Sequence, residues 1–161
     1  IRLSVYGENH SRVASVYNDI GEIYSVQGDD FKALDYFKKS LKIVLSVYGE
    51  NHSQVSSIYD HIGEIYFAQK DYSKALYYFE ESLKIRLSLF GENHPEVALS
   101  YYSIGSLYII QGDKSKALNY YEKSLKIRLS VYGENHPLTK EIMDLINVAN
   151  SKVLQSPETT K

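Results

Sequence analysis

The chain contains no cysteine and no tryptophan, and only one methionine and three prolines among 161 residues. Without cysteine there is no disulfide framework, no thiolate zinc site and no cysteine nucleophile. An excess of one charge sign is also missing: 18 lysines and arginines stand against 20 aspartates and glutamates, a formal net charge of −2. That balance gives no chain-wide attraction to nucleic acid or to an anionic membrane face, so neither is expected as a partner. No run reaches the roughly 18 continuous apolar residues of a membrane-crossing helix, and no succession of basic, apolar and small residues marks a secretory signal. A soluble chain in the cytoplasm is the expectation. What is abundant is tyrosine, with sixteen copies, and a surplus of one type suggests one position used repeatedly.

Written in rows of 42, the sequence begins each row alike: Ile1-Arg2-Leu3-Ser4, Ile43-Val44-Leu45-Ser46, Ile85-Arg86-Leu87-Ser88 and Ile127-Arg128-Leu129-Ser130. The first two full rows agree at 28 of 42 positions and the second and third at 23, with no slip in register. A period this clean sets the architecture before any local reading.

Two helical patterns alternate within a row. Val13, Val16, Tyr17, Ile20, Ile23 and Tyr24 recur at the three-and-four spacing of one helix face. Gly28-Asp29-Asp30 interrupts this first helix, and Ala33, Leu34, Phe37, Leu41, Leu45 and Tyr48 mark a second. Gly49 stands where a left-handed C-cap is expected, and Pro95 and Pro137 occupy the first-turn position that tolerates proline. Two-residue alternation never persists, and Asn-Gly and Asp-Gly hairpin signals are absent. Neither helix can bury its apolar face alone, so an all-α solenoid of stacked helix-turn-helix repeats follows.

Within the rows, Tyr17-x₂-Ile20-Gly21-x₂-Tyr24, Gly28, Ala33-x₃-Phe37 and Ser40-Leu41 form a set that returns as Tyr59, Ile62, Gly63, Tyr66, Ala75, Phe79 and Ser82. It returns again as Tyr101, Ile104, Gly105, Tyr108, Ala117, Tyr121 and Ser124. This set resembles the tetratricopeptide signature. The 42-residue period exceeds the family's 34, and Leu45, Leu87 and Leu129 stand where the family places proline, so the second helix runs on. With Gly91-Glu92-Asn93-His94-Pro95 and Gly133-Glu134-Asn135-His136-Pro137, the pattern is similar to the repeats of kinesin light chains. The resemblance implies a right-handed α-solenoid with a lengthened second helix, a concave groove lined by first helices, and no chemistry of its own.

The expected organisation is a single domain over 1–161. Residues 1–10 read as the tail of a preceding second helix and its turn, 11–52, 53–94 and 95–136 as repeats, 137–155 as a closing helix, and 156–161 as a disordered tail. Gly21, Gly63 and Gly105 are expected where paired helices approach most closely, against Ala33, Ala75 and Ala117, with the aromatic positions filling wider gaps between layers. In the fourth row Met143, Asn147 and Asn150 replace the signature, while Leu138, Ile142, Leu145, Ile146, Ala149 and Val153 keep one apolar stripe.

His10, His52, His94 and His136 recur once per row, but zinc ligands must each approach the ion to about 2 Å, whereas packed helix axes stand ~8–10 Å apart. A structural role in the helix-start turn is expected instead; no metal and no cofactor is. His61 reads as a solvated or contact residue. Asn9-His10-Ser11 and Asn51-His52-Ser53 match a glycosylation pattern without a secretion signal to give it use. No phosphate-cradling loop or activated nucleophile appears, and no enzyme is expected.

What varies between rows is one set of first-helix positions: Ser15, Asn18, Glu22 and Ser25, then Ser57, Asp60, Glu64 and Phe67, then Leu99, Tyr102, Ser106 and Ile109. The family resemblance places these offsets in a groove that holds a partner peptide. Asn18, Glu22, Asp60 and Glu64 offer acceptors and charge; Phe67, Leu99, Tyr102 and Ile109 offer apolar surface. A ligand with a donor-rich end and an apolar end suits both. The alternative expectation is a homo-oligomer stacking end to end through its repeat faces, sensitive to polar substitution at Val5 or Ile20.

Overall fold

The computed structural model describes residues 2–151, with side chains from residue 10 onward. Among them are seven α-helices and no strand: α1 (Arg2–Val26), α2 (Asp30–Tyr48), α3 (Ser53–Ala68), α4 (Tyr72–Phe90), α5 (Pro95–Ile110), α6 (Lys114–Tyr132) and α7 (Pro137–Ser151). The all-α, helix-turn-helix reading is thereby met. Residues 152–155 of the expected closing helix and the 156–161 tail lie outside the described residues.

The two turns of each repeat are built differently. Between first and second helix the chain passes through positive φ at Gly28 (77°), Lys70 (63°) and Gly112 (81°). Aspartate then caps the next helix: Asp29, Asp71 and Asp113 accept the N–H of Lys32, Lys74 and Lys116 at 3.1, 3.2 and 3.1 Å. Between repeats, Gly49 and Gly133 have φ near 80° but ψ near 180°. This conformation is extended and open to glycine, rather than the left-handed helical cap expected from sequence. Histidine starts the following helix. The Nδ1 atoms of His52, His94 and His136 accept the N–H of Gln54, Glu96 and Leu138, each at 3.2 Å. Their rings stack on Tyr48, Phe90 and Tyr132 at 4.2 to 4.4 Å.

The first row departs from this plan. α1 is one continuous 25-residue helix, so the turn expected at residues 7–10 is helical and His10 starts no helix.

Packing divides the chain into two compact units, Ile1–Leu89 and Phe90–Lys161. In the first, α2 packs between α1 and α3, and Ala33, Phe37, Val44, Val55, Ile58 and Ile62 form a continuous core. In the second, α6 packs against α5 and α7 around Val97, Ile104, Leu107, Ala117 and Ile142.

The signature glycines chiefly meet an aromatic ring; the expected alanine joins it at Gly105, where the Ala117 carbonyl oxygen lies 3.3 Å from a built Cβ. A Cβ on Gly21 would stand 2.8 Å from the Phe37 ring, one on Gly63 2.7 Å from Phe79, and one on Gly105 2.7 Å from Tyr121. These rings lie on the glycines, and Phe37 also reaches the next repeat, where it stacks on His61 at 5.0 Å. The tyrosines are likewise placed inside repeats. Tyr36 meets Tyr17 at 5.8 Å and stacks on Tyr24 at 5.7 Å, and the arrangement repeats for Tyr78 with Tyr59 and Tyr66 and for Tyr120 with Tyr101 and Tyr108. Lys32, Lys74 and Lys116 cover the Tyr24, Tyr66 and Tyr108 rings at 5.0 to 5.1 Å. Nine of the sixteen tyrosines are thus used by one motif repeated three times.

Candidate interaction surface

The row-variable positions fall on α1, α3 and α5, and their surroundings differ sharply. In the first unit, Ser15, Asn18 and Ser57 line one pocket of about 200 Å³ between α1, α2 and α3, together with Ala14, Asp19, Ser40, Val44 and Gln54. Asn18 donates from Nδ2 to Glu22 Oε1 at 2.6 Å. The same carboxylate oxygen lies 3.3 Å from His61 Nε2, and the His61 ring stacks on Phe37 at 5.0 Å. His61 is therefore a contact residue joining α1, α2 and α3. The hydroxyls of Ser15 and Ser57 turn back to the carbonyls of Ser11 and Ser53 at 3.2 and 3.1 Å.

Asp60 is set apart from the other acidic positions by burial. Its carboxylate meets Arg86 at 2.6 Å, and Arg86 is buried. Desolvation pushes the Asp60 carboxyl above its usual range, while Arg86, and after it the Ser82 hydroxyl, pull it back. Asp60 thus faces inward to an arginine rather than offering a free acceptor. Glu64 and Ser25 are exposed. Phe67 is half-buried with its ring against Tyr72 at 5.9 Å.

In the second unit, Tyr102 lies over the Arg128 guanidinium at 5.1 Å and donates its hydroxyl to Glu141 at 3.2 Å. Burial, followed by the Glu141 charge, raises the phenol. Ser106 donates to the Tyr102 carbonyl at 3.0 Å and shares a hydrogen bond with the Tyr121 hydroxyl at 3.2 Å. Leu99 and Ile109 remain 44% and 37% exposed, which makes them the apolar contacts of this unit.

Sequence reasoning missed the second-helix contribution. Val44, Arg86 and Arg128 occupy one row position, and the two arginines hold Asp60 in one unit and Tyr102 and Glu141 in the other. The signal was present in the row beginnings, where Ile-Arg gives way to Ile43-Val44. Among the described residues no group of three or more histidines, aspartates and glutamates is placed to hold a metal ion. No described helix is long and apolar enough to cross a membrane.

Helices α2 to α6 alternate between 19 and 16 residues, and with a ring resting on a glycine in each repeat they define a helix-hairpin repeat protein. The chain belongs to the tetratricopeptide repeat family, whose sequence profile matches residues 12–88 and 54–130. Solved structures share the fold at low identity. BtubC (BKLC) from P. vanneervenii is 20% identical with a TM-score of 0.72, over 92% of this chain and 67% of that one. The nearly identical TPR-like repeats of a kinesin light chain-type protein from Podosopora anserina are 17% identical with a TM-score of 0.75, over 91% and 70%. The first TPR of Spaghetti (RPAP3), bound to the HSP90 peptide SRMEEVD, is 16% identical with a TM-score of 0.64, over 90% and 96%. A comparison with curated proteins gave no match.

Proposed function

We propose that this protein is a non-enzymatic interaction scaffold that holds a partner peptide or segment against the first-helix faces of α1, α3 and α5. The tetratricopeptide fold is generally a protein-interaction fold, and a related repeat binds a peptide. The observation that carries the reading is an internal contrast. Positions that build each repeat are constant and buried, whereas Ser15, Asn18, Glu22, Ser57, Leu99 and Ile109 vary between rows and stay accessible. Acceptors at Asn18 and Glu22 suit a donor-rich stretch of the partner, and Leu99 and Ile109 suit an apolar one. The test is an unbiased peptide-display selection on this chain and on an Asn18→Ala, Glu22→Ala, Leu99→Ala variant. Convergent peptides lost on the variant support the scaffold. No enrichment, or identical enrichment on both chains, defeats it.

A second reading, end-to-end assembly, draws on the exposed apolar stripe of α1. Val13, Val16 and Ile23 are 43%, 53% and 56% exposed on one helix face. Sedimentation equilibrium tests it: mass rising with concentration and abolished by Val16→Glu supports assembly, and a monomer throughout removes it.

A further inference from the structure

We infer that the pocket between α1, α2 and α3 is a receptor for an arginine side chain supplied by the partner. The proposal deepens the scaffold reading and takes from it only that a partner chain approaches the first-helix face. Its basis is the difference between one slot and its counterpart in the second unit. There Arg128 fills the slot from within: Nη1 donates to the Leu138 carbonyl at 2.6 Å and lies 3.4 Å from Glu141 Oε2, under the Tyr102 ring. Shifting back by two rows turns Arg128 into Val44, Leu138 into Gln54, Glu141 into Ser57 and Tyr102 into Asn18. Those four residues all line the pocket of about 200 Å³. The cavity is the arginine slot with the arginine removed, and it far exceeds the ~10–15 Å³ that one water needs by the same measure.

The walls have the chemistry of a cation receptor. Asn18 Oδ1 and Gln54 Oε1 are buried acceptors without a hydrogen-bond partner, a costly state for a polar atom. The orientation of Asn18 is fixed chemically, because its amide nitrogen donates to the Glu22 carboxylate, which accepts only. Asp19 adds an exposed carboxylate to the lining, and Ser15, Ser40 and Ser57 add hydroxyls. The lining contains no lysine or arginine to repel a cation. A guanidinium offers five donors in a planar fork, so with a small inward turn of the two amide oxygens, which are closed to solvent in the free chain, one group serves both while its methylenes lie on Ala14 and Val44; an ammonium is a compact, strongly hydrated point charge.

The test titrates the full chain with N-acetyl-arginine amide, followed by NMR, with N-acetyl-lysine amide and a Val44→Arg variant as comparisons. Expected are saturable shifts at Asn18, Gln54 and Ser57 with a dissociation constant on the order of millimolar. They vanish in Val44→Arg, where the slot is filled from within, and weaken at least about threefold with the lysine analogue. Absence of shifts, equal shifts in Val44→Arg, or equal binding of both analogues overturns the proposal. Should Val44→Arg fail to fold by circular dichroism, Gln54→Leu replaces it, with binding about threefold weaker or more expected and unchanged binding overturning the inference. Display peptides that depend on Asn18, Glu22 and Leu99 but carry no arginine sink the receptor and leave the scaffold standing. Arginine-analogue binding without any enriched peptide does the reverse.

Discussion

The ring of Phe79 rests on Gly63 so closely that a Cβ built on the glycine would lie 2.7 Å from the ring's Cε1 atom. Glycine inside a helix costs ~1 kcal/mol relative to alanine, and here the cost is offset by an aromatic ring, fully covered, in the space a side chain would take. Gly63→Ala therefore displaces the ring and destabilises by roughly 1–3 kcal/mol, read as a lower denaturant midpoint at constant slope. Phe79→Leu in the same chain is expected to recover part of the loss. An unchanged midpoint in Gly63→Ala would contradict the contact.

Lys70 adopts φ 63° where Gly28 and Gly112 adopt 77° and 81° in the equivalent turns. Left-handed backbone costs a side-chain-bearing residue ~1–2 kcal/mol, and glycine returns part of that through the greater freedom of its unfolded chain. Lys70→Gly is thus expected to stabilise by ~0.5–1 kcal/mol, visible as a higher melting temperature.

Asp60→Asn removes the carboxylate facing buried Arg86, and because burial already disfavours the Asp60 anion the cost is expected to stay below the ~3–5 kcal/mol of a fully broken buried pair. The added change Arg86→Val reproduces the Asn18 and Val44 combination of the first row and is expected to restore most of the stability. A double-mutant cycle in chemical denaturation measures the coupling, and additive effects would contradict the pair.

Acid stability follows from the three capping aspartates. Asp29 and Asp71 are held below 3.8 first by the ammonium and then by the N–H of the lysine three residues on; at Asp113 the N–H leads. A carboxyl lowered on folding contributes stability above its unfolded value, and that contribution is lost as pH falls below 3.8 through the folded value. Asp60, raised by burial, has the opposite sign: its contribution is present below 3.8 and declines as pH rises through its folded value. Replacing the three caps with asparagine should flatten the acid limb of stability against pH without moving the neutral plateau's shape. A limb as steep as in the parent chain would assign acid sensitivity elsewhere.

The 42-residue period made the helix pairs and the histidine starts of the later rows legible, because each rests on local chemistry repeated in register; the C-cap conformation of Gly49 was not. Less legible was the neighbour of each glycine: spacing places Gly21 on a packed face but does not say whether Ala33 or Phe37 covers it. The continuous α1 escaped because its Gly-Glu-Asn-His segment is identical to that of the next row, where the chain turns. The candidate surface was found on the first helices from variation alone. Its inner wall was missed because Arg86 and Arg128 belong to second helices, where constancy in two rows hid the meaning of Val44.

The central claim is that the variable first-helix positions hold a partner segment. It is tested most directly by calorimetric titration of one display-selected peptide into three forms of the chain. These are the parent, the Asn18→Ala, Glu22→Ala, Leu99→Ala variant, and a control with Lys38→Ala, Glu80→Ala, Glu122→Ala at exposed positions of α2, α4 and α6. Affinity falling at least about tenfold, ~1.4 kcal/mol, in the first variant with the control unchanged is the predicted result. Equal affinity for all three, or a loss confined to the control, would contradict it.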